Sequence, residues 1–201
     1  PSEFVNYTKL RRLYENRTLV RYPNSSCPAS GSPTPLPRPY FWDGQLSAYQ
    51  SDDLQTTYLF AGMRRGGRSV YAFDVSVPTA PIVMWRINEA SSGFSQLGYT
   101  WSEPRVVWIK DVTEASGKRL VLIFGAGYDP TDDDQRSGAE RGDRASYTGV
   151  GRGVFVVDAL TGALVRFLEP PSGVRKYSFA ADVTTFDYDG DGLVDRIYAV
   201  D

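Results

Sequence analysis

Acidic side chains at alternate positions mark the stretch DYDGDGLVD, residues 187–195. Four aspartates take positions 1, 3, 5 and 9 of this stretch, and a glycine takes position 6. Calcium-binding loops place oxygen ligands and a sharp glycine turn at these positions, and they use the backbone carbonyl at position 7 as a further ligand. The spacing therefore predicts a Ca²⁺ site with the ligands Asp187, Asp189, Asp191, Leu193 (carbonyl) and Asp195.

Other interpretations of residues 187–195 stay open. Asp-Gly pairs are favoured in hairpin turns, so the stretch would also suit a plain connection between two strands. Four carboxylates that converge without a cation would repel one another, which favours a metal site. Magnesium fits less well than calcium because it takes fewer protein ligands in a rigid octahedron. Position 12 is Tyr198 rather than glutamate, which excludes a standard EF-hand.

Composition narrows the classes of function. The chain has no histidine and one cysteine, Cys27, which excludes histidine catalysis, an internal disulfide and a zinc site built on histidine or several cysteines. A net charge of −2 without a lysine-rich stretch gives no support for a nucleic-acid partner. No apolar run reaches the roughly 18 residues of a membrane span. The first residues lack a signal-peptide core, which leaves a cytosolic protein or an internal part of a longer exported chain.

The elements that would position the acidic stretch are β-strands. From residue 40 onward, short runs rich in Val, Ile, Phe and Tyr alternate with Gly, Pro, Asp or Ser, and no run keeps a 3.6-residue period. This pattern predicts an all-β fold. The predicted strands lie at residues 56–62, 69–75, 82–87, 105–110, 119–127, 153–159, 163–168 and 196–201.

These strands also repeat. The segment at 66–85 resembles the segment at 150–167, with four matched positions that are each 84 residues apart. A second similarity joins residues 99–110 to 177–188. The matched pairs in the first comparison are Gly67 with Gly151, Val70 with Val154, Tyr71 with Phe155, and Asp74 with Asp158.

One repeat unit contains four strands, which is the content of one β-propeller blade. The units cover about 40–86 and 99–168, and a third begins at 177, so we expect about two and a half blades of a propeller, with a β-sandwich as the alternative. The acidic stretch then connects a strand at 177–186 to the next strand, in a slot that the second unit fills with residues 110–119. Residues 1–39, with six prolines after position 22, are expected to be an irregular lead-in and a proline-rich loop, and residues 40–201 part of the propeller.

Several fragments in this order resemble the C-terminal β-propeller of the PilY family of type IV pilus biogenesis proteins and tip-associated adhesins. The resemblance covers about residues 40–201. It is carried by YFWDG (40–44), FAGMRRGGRSVYAFDVS (60–76), GYTWSEPRVV (98–107), VLIFGAGY (121–128), GVFVVDALTGALV (153–165) and the stretch that begins at Asp187.

The resemblance implies a quinoprotein-like propeller whose acidic loop binds Ca²⁺ and supports pilus extension, retraction and twitching motility. It implies export to the pilus tip or outer membrane surface, with pilins, minor pilins and a host or abiotic surface as partners. A non-enzymatic role is expected. The alternatives are a quinone-dependent dehydrogenase, suggested by DALTGALV (158–165) with Trp85 and Phe167, and a purely structural interaction domain.

A long insertion at 129–151 departs from the family pattern and contains Arg141, Gly142 and Asp143. Arg-Gly-Asp is a tripeptide that integrin ligands display on loops, although an exposed polar loop is the plainer interpretation. The three consecutive aspartates at 132–134 do not have the alternate spacing that would make side chains converge on one ion.

Overall fold

The computed structural model describes residues 40–129, 149–171 and 177–200. Ten β-strands and one short 3-10 helix, Arg64–Gly66, form this part of the chain, and its residues from Trp42 onward belong to one compact unit. The strands are β1 (Leu46–Gln50), β2 (Thr57–Gly62), β3 (Ser69–Asp74), β4 (Ile82–Asn88), β5 (Arg105–Lys110), β6 (Lys118–Gly125), β7 (Val154–Asp158), β8 (Leu164–Leu168), β9 (Thr184–Phe186) and β10 (Arg196–Tyr198).

The strands form two four-stranded sheets and one two-stranded ribbon. The first sheet has the order β1-β2-β3-β4, the second has the order β5-β6-β7-β8, and the ribbon pairs β9 with β10. Every pairing is antiparallel and joins strands that follow one another in the chain. The all-β prediction is confirmed, and each four-stranded repeat unit coincides with one sheet.

A hydrophobic core lies between the first and second sheets. Alternate residues of a strand point to the same face, so Val70 and Ala72 of β3 share this core with Leu122 and Phe124 of β6. Phe155 of β7 also belongs to this core and is fully buried. The remaining buried members are Phe60, Ile87, Phe94, Leu97, Leu120, Ala126, Val157 and Ala159.

A second core lies on the other face of the second sheet. Val121 and Ile123 of β6 pack there with Val183, and Ile197 of the ribbon contacts the same cluster. Because β6 is covered on both faces, its sequence is a continuous apolar run rather than an alternation of apolar and polar residues, as is typical of strands buried on two sides. The second sheet thus lies between the first sheet and the ribbon.

Trp85 in the middle of β4 packs against the turn between β7 and β8. Its indole Nε1 donates a hydrogen bond of 3.0 Å to the carbonyl of Ala159. A Cβ added to Gly162 would lie 2.8 Å from the Trp85 ring, so this glycine is required by close approach as well as by its φ of +73°. Phe167 packs on Phe155 at 4.5 Å between ring centroids. Both aromatic residues therefore serve packing between or within sheets.

The third unit differs from the expected pattern at its start. A strand was expected over residues 177–186, but only Thr184–Phe186 pairs as a strand. Phe179 instead donates its N–H to the carbonyl of Gly151 and accepts a hydrogen bond from the N–H of Gly127. These bonds hold residues 177–180 against loops of the second sheet, so they cannot extend β9.

Some expectations fall outside the described residues. These are the proline-rich lead-in at 1–39, the Arg141-Gly142-Asp143 tripeptide and the aspartates at 132–134. The domain boundary at residue 39 likewise stays a prediction. Among the residues that the structure describes, no helix is long and apolar enough to cross a membrane.

Candidate metal centre

The acidic stretch is the hairpin loop that joins β9 to β10. The N–H of Asp195 donates to the carbonyl of Phe186 at 3.1 Å and closes the hairpin. Gly190 and Gly192 have φ values of +78° and +84°, a left-handed conformation that favours glycine. A Cβ at either position would meet no atom within 4 Å, so the backbone conformation, and not lack of space, selects glycine.

Three of the predicted carboxylates converge. Asp187, Asp189 and Asp195 each offer an oxygen, and these oxygens lie within 4.8 Å of one another. Asp187 is half-buried, and the other two are exposed. Asp191 is outside this group, and its Oδ1 accepts a hydrogen bond of 2.8 Å from the N–H of Leu193. The Leu193 carbonyl stays a predicted ligand.

Backbone N–H groups hold the converging carboxylates in place. Asp187 accepts from Gly190 at 2.7 Å and from Gly192 at 2.8 Å, one bond on each carboxylate oxygen. Asp195 accepts from the N–H of Tyr188 at 2.8 Å. The Gly192 N–H, followed by that of Gly190, lowers the pKa of Asp187 below its ordinary value. These bonds favour the ionised carboxylate, the form that a metal ion binds.

The loop contains negative charge without an internal counter-charge. Within the described part of the chain, no basic side chain forms an ion pair with Asp187, Asp189 or Asp195. Like charges at this separation repel by roughly 1 kcal/mol per pair in water and by more near a protein surface. An all-oxygen donor set of this kind suits a hard cation such as Ca²⁺, which accepts flexible geometry and exposed carboxylates. The residues present therefore fit the predicted metal.

In the second sheet, the corresponding loop joins β5 to β6, and its carboxylates are paired with an arginine. Arg119, the second residue of β6, pairs with Asp111 at 2.6 Å and Glu114 at 2.5 Å in the β5–β6 loop, and it also reaches Asp158 at 2.9 Å. The sequence of residues 110–119 predicts only a polar connection between two strands. The network was missed because Asp158 lies 39 residues away and comes near only when β6 pairs with β7.

The acidic loop is also attached to the second sheet. The N–H of Val194 donates a 2.8 Å hydrogen bond to the backbone carbonyl of Trp108 on β5. The side chain of Trp108 points to the opposite core, where it packs with the first sheet. The bond fixes one side of the loop relative to the second sheet.

Comparison with known proteins gives two curated relatives. The chain is 30% identical over 177 residues to the type IV pilus biogenesis factor PilY1 homolog of Xylella fastidiosa, which covers 81% of this chain and 10% of that protein. It is 27% identical over 168 residues to the type IV pilus biogenesis factor PilY1 of Pseudomonas aeruginosa, which covers 84% of this chain and 12% of that protein. The chain thus spans about a tenth of the length of these relatives. No family model matches the sequence.

A solved structure shares the fold. The crystal structure of the Pseudomonas aeruginosa PilY1 C-terminal domain superposes with a TM-score of 0.53 at 24% sequence identity, covering 77% of this chain and 27% of that chain. The match extends well beyond a single hairpin, since it covers 77% of this chain. Together with the two relatives, it shows that the chain belongs to the PilY family and corresponds to part of the PilY1 C-terminal domain.

Proposed function

We propose that this chain is a calcium-binding region of a type IV pilus biogenesis protein. The observation that carries the proposal is the convergence of Asp187, Asp189 and Asp195 on one point of a loop that has no internal counter-charge among the described residues. Asp191 and the carbonyl of Leu193 complete the proposed ligand set. When bound, Ca²⁺ would offset two of the four negative charges of the loop and would hold the β9–β10 hairpin in one conformation.

The sheets are proposed to be successive blades of a β-propeller of the quinoprotein type. Three features support this arrangement: sequential antiparallel strands in each sheet, face-to-face packing of the sheets, and a tryptophan that docks on the neighbouring sheet. In this arrangement the calcium loop joins two neighbouring strands, β9 and β10, of the third blade. The chain is proposed to act without enzymatic chemistry.

The biological role rests on the family. The PilY1 relatives are named as type IV pilus biogenesis factors. We propose that this chain acts with pilins and minor pilins at the pilus tip or outer membrane surface, where calcium in the loop supports extension, retraction, twitching motility and adhesion.

Calorimetric titration tests the metal site directly. Wild-type protein stripped with a chelator should bind one Ca²⁺ with a dissociation constant between about 10⁻⁶ and 10⁻³ M. Asp187→Asn and Asp195→Asn should each weaken binding by about tenfold or more, since each removes one ligand charge. Asp52→Asn, in the corresponding β1–β2 turn, is the matched control and should bind as wild type does. Calcium binding that survives both loop substitutions would reject the assignment.

The cellular role needs a separate experiment. Asp195→Asn in the complete protein should leave the protein exported and folded but reduce twitching motility relative to the Asp52→Asn control. Normal motility in a variant that no longer binds calcium would separate the metal site from pilus function and leave calcium as a structural ion only.

A further inference from the structure

A cavity of about 370 Å³ opens where three turns meet at one end of the two four-stranded sheets. Its walls come from the β1–β2 turn (residues 51–56), the β5–β6 loop (111–117) and the β7–β8 turn (159–163), together with the strand ends beside them. This volume lies within the range of small-molecule sites, about 300–1,000 Å³. The acidic loop at 187–195 is not part of its lining.

Aromatic rings form the apolar wall of this cavity. Tyr49 of β1 and Tyr58 of β2 stack with ring centroids 6.1 Å apart, and Trp108 of β5 meets Tyr49 edge-on at 6.2 Å. The three side chains are half-buried and pack against the core between the sheets, which holds their rings in place. Flat faces of this kind suit the C–H faces of a ring-shaped ligand as well as other aromatic groups.

The charged side chains that line the cavity have no net charge. Two are acidic, Glu114 and Asp158, and two are basic, Lys118 and Arg119. Both cations are already engaged: Arg119 pairs with three carboxylates, and the Lys118 ammonium lies 4.6 Å from the centre of the Trp108 ring. The cavity therefore has no surplus positive charge for a phosphate or nucleic acid, and its polar rim does not suit a lipid chain.

Five hydroxyl-bearing side chains line the cavity, two of them tyrosines. Among the described residues, none exchanges a hydrogen bond with the hydroxyl of Tyr49 or of Tyr58. Ser51, Thr56 and Ser116 also line the cavity. The hydroxyl of Ser51 already donates to Asp53, and that of Ser116 donates to the carbonyl of Lys118. Hydroxyls and ion-paired carboxylates together offer both donors and acceptors to a neutral ligand.

From this combination we propose that the cavity binds a neutral saccharide ring. The aromatic wall provides the stacking face, and the tyrosine hydroxyls with Glu114 exchange hydrogen bonds with sugar hydroxyls. Glu114 lies at the mouth, with its side chain 41% exposed, so it can reach a ligand without leaving Arg119. This site is separate from the calcium loop, and the proposal holds with or without calcium binding.

A glycan array of neutral mono- and oligosaccharides identifies the ligand, and NMR titration of the chain with the strongest binder then locates it. The expected result is amide shift changes confined to residues near Tyr49, Tyr58 and Trp108, in the presence of a calcium chelator. Tyr58→Leu should weaken binding by about tenfold, because the stacking ring is lost. Tyr58→Phe keeps the ring and should weaken binding only about three- to fivefold, through the lost hydroxyl.

Glu114→Gln provides a second variant that does not touch the core, and it should weaken binding several-fold. Glu89→Gln, an exposed charge at the opposite end of the first sheet, is the matched control and should bind as wild type does. No saccharide bound on the array, shift changes elsewhere in the chain, or equal binding by the Tyr58→Leu and Glu114→Gln variants would each overturn the proposal. Acetyl-arginine amide bound in this cavity more tightly than every saccharide would also overturn it and assign a cation site instead.

Discussion

Asp111 and Asp187 are the first residues of corresponding loops, and hydrogen bonds lower the pKa of both. Asp111 is paired with Arg119, a cation supplied by the chain. Within the described residues, Asp187 and its neighbours Asp189 and Asp195 have no such partner. Because the β5–β6 loop has a cation from the chain and the β9–β10 loop does not, we expect an external cation at the β9–β10 loop.

The Asp111 carboxyl gives a prediction for acid stability. Hydrogen bonds from the hydroxyl and N–H of Thr113, and then from Arg119, lower its pKa to about 2 from 3.8. A lowered carboxyl pKa stabilises the folded state above the unfolded pKa, and this contribution is lost as pH falls through the folded pKa. Asp111→Asn should therefore reduce the melting temperature at pH 7, and its difference from wild type should shrink as pH falls from about 4 towards 2. Melting curves across this range, with Asp52→Asn as control, test it; a difference that is independent of pH would contradict it.

A substitution of Asp191 tests whether this residue belongs to the calcium ligand set predicted from the sequence. Its Oδ1 accepts a hydrogen bond from Leu193, and it lies outside the converging group. If the loop closes around the ion, Asp191→Asn should weaken calcium binding as strongly as Asp187→Asn, about tenfold or more. If the three converging carboxylates are sufficient, calorimetry should show a change of less than about threefold for Asp191→Asn, and Asp191 would be removed from the ligand set.

At the scale of elements, the β9–β10 hairpin is linked to the second sheet by the bond from Val194 to Trp108. An ion that fixes the loop should stabilise this bond. Hydrogen exchange of the Val194 amide should therefore slow by about tenfold or more when calcium is added and recover with a chelator. The Asp111 amide, which donates to Gly117 in the corresponding loop, should not change. Calcium binding without slower exchange at Val194 would show that the ion leaves the hairpin unchanged.

The strands and their grouping could be predicted from sequence because local patterns determine them. Apolar runs bounded by turn residues marked β2 to β8, and the 84-residue repeat divided them into units that the sheets reproduce. The proximity of Asp187, Asp189 and Asp195 could be expected because they lie in one short loop, but alternate spacing alone would also place Asp191 in the group, and it lies outside. Contacts between distant residues could not be predicted in this way. The Arg119 network and the cavity beside Tyr58 depend on which strands pair and which sheets face each other.

The predicted strand at residues 177–186 shows the same limit in another form. Its composition suits a strand, yet Phe179 bonds to Gly127 and Gly151 instead of extending the β9 ladder. Hydrogen bonds to backbone groups of the second sheet override the strand preference of this segment. The sequence of the segment alone does not show that these groups are near.

At the scale of the whole molecule, the second sheet connects all the described sheets. Residues of β6 enter two cores in alternation: Leu122 and Phe124 pack towards the first sheet, while Val121 and Ile123 pack towards the ribbon. Loss of packing on one face therefore changes a strand that supports the other face. We expect the sheets to unfold together rather than one at a time.

The contact between Trp85 and Gly162 offers a direct test of this coupling. Gly162→Ala adds a Cβ 2.8 Å from the Trp85 ring at a φ of +73°. Gly117→Ala is a matched control, because Gly117 has a φ of +71° and open space around its Cβ position. Both variants have the conformational cost of alanine at positive φ, about 1 to 2 kcal/mol. Only Gly162→Ala also disturbs the packing of two sheets, so its free energy of unfolding should fall by about 1 to 3 kcal/mol more than that of the control. Chemical denaturation followed by tryptophan fluorescence and by circular dichroism measures both variants. Equal losses would mean that the Trp85 contact adds nothing to stability, and separate transitions by the two probes would show that the sheets unfold independently.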